Sequence, residues 1–433
     1  MRQLLSDKVS GHLVGLWLLV AEHLRLGTWD LLCGWTGQPT ERIEPRLALQ
    51  MVHEAALCSK GVRSQRTLGH RGGFALVNGL PFVASDTAVH LLLAPQTIQH
   101  TQSLQVALGK LRFVAGDFHG KLLVIDPHRV RSYSKRHMRL RKPRASERAV
   151  RTAQTFWVLD ADTHQPICFT TASSARTVAE ATPELLDLAG EILTPRKHVP
   201  LVLADAEHCC WELLDHVRQR KDFEMLVPMP NTKALRRQME KIPAEDFTRH
   251  WAGYATARRP YPMPNGESES CYQYLQRTGE RPADWHFKAF ASTVNGDEVE
   301  SLTVGFPKRW HIEEFFNAYQ ALGWDRGGTL NLNIRYGQMT MSLIAQAVIQ
   351  QLRTRLGGPV ATWDAQHFAQ HVLHALEGDV RVEGDTIVVT YYNAPNAELL
   401  RSHYEGLPKK LAAEGTAPEI PWLYGFKLDF RFR

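Results

Sequence analysis

The chain has little of what would make it a secreted, metal-stapled or membrane-embedded protein. Its 433 residues include only six cysteines: Cys33, Cys58, Cys168, Cys209, Cys210 and Cys271. None forms a CxxC pair, and the adjacent Cys209–Cys210 is poor spacing for a structural zinc site. Reduced, mostly buried thiols are expected. The apolar run LVGLWLLVAEHL (13–24) is short and carries Glu22 and His23, so it reads as a buried helix and not a membrane span. No secretory signal is evident, and a cytoplasmic location is expected. There are no internal repeats and no low-complexity tracts. Charge of one sign is only mildly in excess, with a net charge of +6 and a pI near 9.0. That balance permits a polyanionic partner without demanding one, so the distribution of charge decides.

What is present is an ordinary globular composition, 44% hydrophobic and 22% charged. It excludes global disorder, and the length implies two or three domains. Residues 1–115 read as a helical N-terminal domain. RLALQMVHEAALCSKG (46–61) has helical spacing and a Gly stop, and Ser85 and Asp86 are candidate caps for a helix through 93. Arg63, Arg66 and Arg71 lie between these helices with no acid among them, either as a DNA-contacting turn or as a solvated loop.

From 116 the texture changes. GKLLVIDPH (120–128), QTFWVLDADT (154–163) and HQPICFTTA (164–172) are three strand candidates, the last two joined as a hairpin. TPELLDLAGEIL (182–193) reads as a helix capped by Thr182 with Pro183 in its first turn. VPLVLADAEH (199–208) is a strand, CWELLDHVRQRK (210–221) a helix and FEMLVPMP (223–230) another strand. The order β-β-β-α-β-α-β predicts an α/β domain with a mixed sheet. Residues 231–303, rich in Tyr, Trp and Thr, read as a β-rich insertion. Its Trp251 and Trp285 are either β-layer core or exposed aromatic platforms. KRWHIEEFFNAYQ (308–320) is an amphipathic helix, and the apolar helix 337–357 should pack against it. An α/β core is therefore expected over 116–230 and 304–360. An α+β region, 361–433, closes the chain with a hairpin, a short helix and a final strand, and is the natural place for a dimer contact.

Two acids end strands in the α/β region, Asp126 on the first and Asp205 on the fourth. Sites in open sheets form at the carboxyl ends of strands, so neighbouring first and fourth strands would bring them together. Asp160 and Asp162 compete for this role, but a tight hairpin favours Asp for the turn itself. The helix 308–320 supplies a third acid. Arg309, Glu313 and Gln320 fall on one stripe, and Glu314 lies about 100° further round. A Glu four residues after an Arg is commonly a surface salt bridge. Beside Asp126 and Asp205 it becomes a third ligand, because clustered carboxylates imply a shared proton or bound cations. All-oxygen ligation suits Mg²⁺ or Mn²⁺, and two ions per site can carry phosphodiester displacement. Directly after Asp126, PHRVRSYSKRHMRLRKPR (127–144) carries eight Lys or Arg and no acid. Such a run is either a solvated tract or a nucleic-acid contact; leaving from a candidate metal site, it reads as the latter.

These residues resemble the bacterial insertion-sequence DDE transposases, cut-and-paste enzymes with a ribonuclease-H-like core. In that family a β-rich insertion separates the second Asp from a Glu set in a Y-x2-R-x3-E-x6-K signature. Phe306, Arg309, Glu313 and Gln320 stand at those four positions, and IDPH (125–128) and LADAEH (203–208) resemble the two Asp strands. Phe306 lacks the tyrosine hydroxyl and Gln320 lacks the lysine charge. The resemblance spans about 40–360. It implies a DNA transposase in which Asp126, Asp205 and Glu313 hold two Mg²⁺ ions. Arg309, Arg129, Arg131, Lys135, Arg136, Arg139, Lys308 and Gln320 would contact DNA. Double-stranded DNA, as terminal inverted repeats and target, is the implied partner, with a homodimer on DNA. A metal-dependent DNA nuclease without strand transfer and a catalytically inactive DNA-binding derivative are the alternatives.

Overall fold

The computed structural model describes residues 9–11, 13–59, 68, 73–133, 139–142, 148–261, 271–325 and 331–433. The chain forms two compact units, one of Met1–Arg112 with Asn317–Arg433 and the other of Phe113–Phe316. Arg63, Arg66, Arg71, Lys135 and Arg136 lie outside the described residues.

The first unit combines buried helices with a small sheet. The run read as a buried helix is one, Leu16–Leu26, and its left-handed stop is Gly27. The helix Glu44–Ala56 follows, with Pro45 in its first turn. Ser85 caps the helix Asp86–Leu93, its side chain accepting from the Ala88 amide. The long helix Leu332–Leu356 is buried along most of its length. The residues after Phe316 thus group with the N-terminal helices. Gly378–Glu383 and Thr386–Tyr391 form the expected hairpin, and the final strand, Phe426–Phe432, runs parallel to the second of these. Two short helices, Ala397–Tyr404 and Leu407–Ala413, stand where one was expected.

The second unit is built on one large mixed sheet. Its strands are β1 (Leu122–Arg131), β2 (Thr152–Asp160), β3 (Gln165–Ser173), β4 (Leu201–Leu203), β5 (Glu224–Pro228), β6 (Thr248–Trp251), β7 (Tyr254–Tyr261), β8 (Cys271–Thr278) and β9 (His286–Ser292). Among the described residues the order across the sheet is β3-β2-β1-β4-β5-β9-β8-β7-β6. β1 pairs antiparallel with β2 and parallel with β4, and β4 is parallel to β5. The first five strands make a ribonuclease-H-like mixed sheet. Its crossovers are α1 (Val178–Ile192), between β3 and β4, and α2 (Trp211–Arg220), between β4 and β5. The insertion does not stand apart from this sheet. β9 pairs with β5, so the insertion's four strands extend the same layer. The helix α3 (Lys233–Glu240) covers them, with Leu235 and Met239 packed on Phe247, Ala255, Leu275 and Ala289.

Local chemistry moves several expected boundaries. α1 begins at Val178, because Thr177 and Glu180 form a reciprocal capping box. Thr182 is buried inside the helix and donates back to the Val178 carbonyl, and Pro183 is interior. β1 continues to Arg131, so Asp126 lies within the strand and not at its end. Pro127 is tolerated there because β4 stops pairing at Val124, leaving β1 with one partner from Asp126 onward. Trp251 is 50% exposed and stacks on Tyr254, since β6 is the sheet's edge; it is not core. Only Cys168 and Cys271 are buried, and the other four thiols are half-buried; none of the six is joined in a disulfide. Among the described residues no helix is long and apolar enough to cross a membrane.

Candidate active site

The site follows from the register of β1 on β4. Val124 pairs with Leu203, the last parallel pair between these strands. Asp126 and Asp205 each lie two residues further on, so side-chain alternation sends both toward the face that Val124 and Leu203 share. Asp205 lies two residues past the end of β4, not on its last residue as expected; it caps a short 3₁₀ turn, Ala206–His208, and its Oδ1 accepts from the Glu207 amide at 3.0 Å.

The third acid comes from a helix laid over the same face. Trp157 stands directly opposite Asp126 in the β1–β2 ladder. Phe315 meets Trp157 edge-on with ring centroids 5.5 Å apart, and Phe316 packs on His128 at 4.6 Å. These phenylalanines belong to α4 (His311–Tyr319), whose start is held by His311 Nδ1 against the Ala161 carbonyl at 2.8 Å. A π-turn (Ser301–Gly305) and a 3₁₀ turn (Phe306–Trp310) precede it, so the regular helix is shorter than the expected 308–320. Glu313 lies in its first turn. Arg309 Nη2 donates to Glu313 Oε1 at 3.3 Å, while Glu314 is exposed.

The electrostatics single out Asp126. Burial pushes its carboxyl up to about 8, and the Asp205 charge adds to this, as does Glu313; Arg309 and Arg129 oppose it. Asp205 goes the other way. Burial would raise it, but the hydrogen bond and charge of His208, with the Glu207 amide and the Arg309 charge, together outweigh that and hold it below the usual range. His208 is buried, with Nδ1 2.9 Å from Asp205 Oδ1. A carboxylate only accepts, so Nδ1 carries the proton. Beside Asp205 a cleft of about 370 Å³ opens between Arg309, Phe306, Phe290, Met229 and Leu235. Phe306 packs edge-on against Phe290 there.

The other expected contact residues are dispersed. Arg129 donates to Glu207 at 2.6 Å and to Gln154 at 2.9 Å. Lys308 pairs with Asp162 at 2.6 Å. Arg131 and Arg139 are exposed. Gln320 belongs to the other unit, where it opens a 3₁₀ turn, Gln320–Leu322. Asp160 serves its turn, accepting from the amides of Gly120, Asp162 and Thr163. Glu207 and His208 were not singled out from the sequence, and Arg141 was included only as one of the eight basic residues of 127–144. The first two stand in the quoted LADAEH, where an acid and a histidine just after a strand-ending Asp were the available signal.

Residues 118–347, more than half of the chain, match the transposase DDE domain. The chain belongs to this DDE transposase family. No curated protein matches it. Among solved structures, a cryo-EM structure of a piggyBac transposase synaptic complex with hairpin DNA is similar over 82% of this chain and 79% of that one, with 11% identity and a TM-score of 0.41. DDE transposases generally depend on divalent metal. Among the described residues, no three His, Cys, Asp or Glu side chains converge closely enough to chelate an ion as they stand. The donor chemistry of the transposase nevertheless fits one. Asp126, Asp205 and Glu313 offer carboxylate oxygens, and Asp126 is raised first by burial and then by the charges of Asp205 and Glu313.

Proposed function

We propose that this transposase cuts DNA at the ends of its element and joins the freed ends to target DNA, with Asp126, Asp205 and Glu313 as ligands for two Mg²⁺ ions, Mn²⁺ being an equivalent. The observation that best supports this is the Asp126 carboxyl, raised to about 8 within reach of two further acids. Divalent ions bound there would activate an attacking oxygen and stabilise the leaving one.

The chain's own residues prepare that chemistry. His208 and the Glu207 amide keep Asp205 ionised and oriented. Arg309 supplies the counter-charge to the three acids. With Glu313 holding a cation, the Arg309 guanidinium would be free of it and suited to a DNA phosphate. Arg131 and Arg139 add exposed positive charge for sequence-independent backbone contact, with Lys308 available if it leaves Asp162. Double-stranded DNA is thus the partner, as terminal repeats and target. Paired ends need two active sites, hence a homodimer on DNA.

The test is cleavage of the element's terminal DNA with Mg²⁺. Asp126→Ala, Asp205→Ala and Glu313→Ala should each lower cleavage by more than the ~100-fold typical of losing an outer-shell partner. Cleavage surviving in all three variants sinks the assignment. Pre-cut ends bearing a 3′-hydroxyl should give joined products, and cutting without joining would mark a nuclease instead.

A further inference from the structure

Glu207 receives two guanidinium groups that arrive from either side of the basic segment. Arg129 stands on β1, just past Asp126, and its Nη2 donates to both Glu207 oxygens at 2.7 and 2.6 Å. Arg141, beyond the far side of the segment's middle, donates through Nη1 at 3.2 Å. Neither arginine depends on Glu207 for its position. Arg129 Nε donates to Gln154 at 2.9 Å, and Gln154 is anchored on the Ser173 and Arg176 carbonyls. Arg141 Nε donates to the Ser174 carbonyl at 3.0 Å, and its backbone exchanges hydrogen bonds with Val150. Arg141 Nη2 is buried with no partner among the described residues. The two arginine side chains are each 16% exposed, against 31% for Glu207. The cations are built in, and the carboxylate is the more accessible, replaceable member.

Two braced guanidiniums converge on one point, and one of their nitrogens, Arg141 Nη2, is left unused by the Glu207 carboxylate. A phosphate, with its additional acceptor oxygen and charge, matches them better. We propose that Arg129 and Arg141 form a subsite for one backbone phosphate of DNA, and that the Glu207 side chain occupies it until DNA displaces it. This rests on the reading of the transposase as a DNA-acting enzyme. Glu207 is then a built-in competitor that weakens binding to arbitrary DNA. Its backbone amide, which holds Asp205, is untouched when the side chain leaves.

The experiment is fluorescence anisotropy with a labelled duplex of arbitrary sequence, over a salt series in EDTA, so that cleavage plays no part. Glu207→Gln should bind about 3–10-fold tighter than wild type. Its salt dependence should steepen by about one to two released counterions. Glu207→Ala should do the same. In a chain carrying Arg129→Gln and Arg141→Gln, binding should weaken, the salt slope should flatten, and adding Glu207→Gln should bring no gain. Equal or weaker binding by both Glu207 variants overturns the subsite, because Glu207 would then be orienting the arginines for DNA. A gain that persists without the arginines overturns it too, as a general charge effect. Absence of duplex binding by wild type and Glu207→Gln alike overturns the subsite together with the DNA-acting reading. The expected binding pattern in a chain that never cleaves overturns only the catalytic assignment.

Discussion

Each unit gathers ionisable side chains into a cluster, centred on a fully buried acid in the first and partly exposed in the second, and the two are built in opposite ways. In the unit carrying both chain ends, Glu22 is fully buried. It accepts from Arg25 at 2.7 Å, from the Tyr404 hydroxyl at 2.7 Å and from Arg355 at 3.2 Å, and Arg25 continues to Glu414 at 2.6 Å. One carboxylate is wrapped by two guanidiniums and a phenol, so charge and lone pairs are both satisfied. In the sheet unit Asp126, Asp205 and Glu313 outnumber the two arginines near them, Arg309 and Arg129, of which Arg129 is engaged by Glu207, and Asp126, raised chiefly by burial, holds its proton to about pH 8. The first arrangement is how a protein makes a buried acid structural. The second leaves it unbalanced, which marks a place prepared for a positively charged occupant.

The largest stability effect should come from the balanced cluster. Glu22→Ala strips the shared acceptor from two cations and should destabilise the fold by about 3–5 kcal/mol. Glu313→Ala, on the partly exposed face of α4, should change stability little while abolishing cleavage. Urea unfolding followed by tryptophan fluorescence separates the two. Equal losses in both variants would break the distinction between a structural and a functional carboxylate.

The unbalanced cluster was largely legible in the sequence, and the reasons are local. The apolar, β-branched runs LLVI and LVLA lead into Asp126 and Asp205; whether the first and fourth strands are neighbours was left open by the sequence, and their parallel pairing meets that condition. What stayed hidden depended on pairing over distance. Pro127 looks like a strand terminator, but β1 has one partner there and continues. The join of β9 to β5 links segments far apart in the chain, so the insertion read as separate from the sheet. The Thr177–Glu180 capping box was readable, yet Thr182–Pro183 imitates a helix start closely enough to mask it. The convergence of Arg129 and Arg141 on Glu207 has no sequence periodicity at all, since it joins a strand, a loop and a turn.

A smaller effect sharpens the comparison from the acid side. The Asp126 carboxyl has a folded value near 8 against about 3.8 unfolded. The folded chain thus keeps a proton that the unfolded chain releases between pH 4 and 8. Stability from this group is full below pH 4, falls as pH rises to 8, and is level above that. Asp126→Asn removes the penalty, and in EDTA it should be more stable than wild type by about 1–3 kcal/mol at pH 8.5, with the gap closing toward pH 4. Thermal melts across that range measure it. A variant less stable than wild type at pH 8.5 would mean that Asp126 is a compensated structural acid, like Glu22.

The smallest effect has the opposite sign and belongs to the first unit. His23 and His53 are buried with ring centroids 5.1 Å apart; their Nδ1 atoms face Thr28 and Asn78, and both Nε2 atoms lack a partner among the described residues. Burial, then the neighbouring His53, pushes His23 well below its ordinary value, and burial takes His53 to about 4. Both are neutral in the folded chain, whereas unfolded histidines take up a proton near pH 6.5. Their contribution is therefore full above pH 6.5 and is lost as pH falls from there toward 4, by at most ~1.4 kcal/mol per histidine per pH unit. In wild type this loss runs against the gain from protonated Asp126 over the same window. Asp126→Asn should consequently lose stability more steeply on acidification from pH 6.5 to 4.5 than wild type does. Adding His23→Gln and His53→Gln should flatten that slope, since both acid-sensitive groups are then gone. Urea titrations at half-unit pH steps resolve the three slopes, and an unchanged slope in the histidine variant would show that acid sensitivity resides elsewhere in the fold.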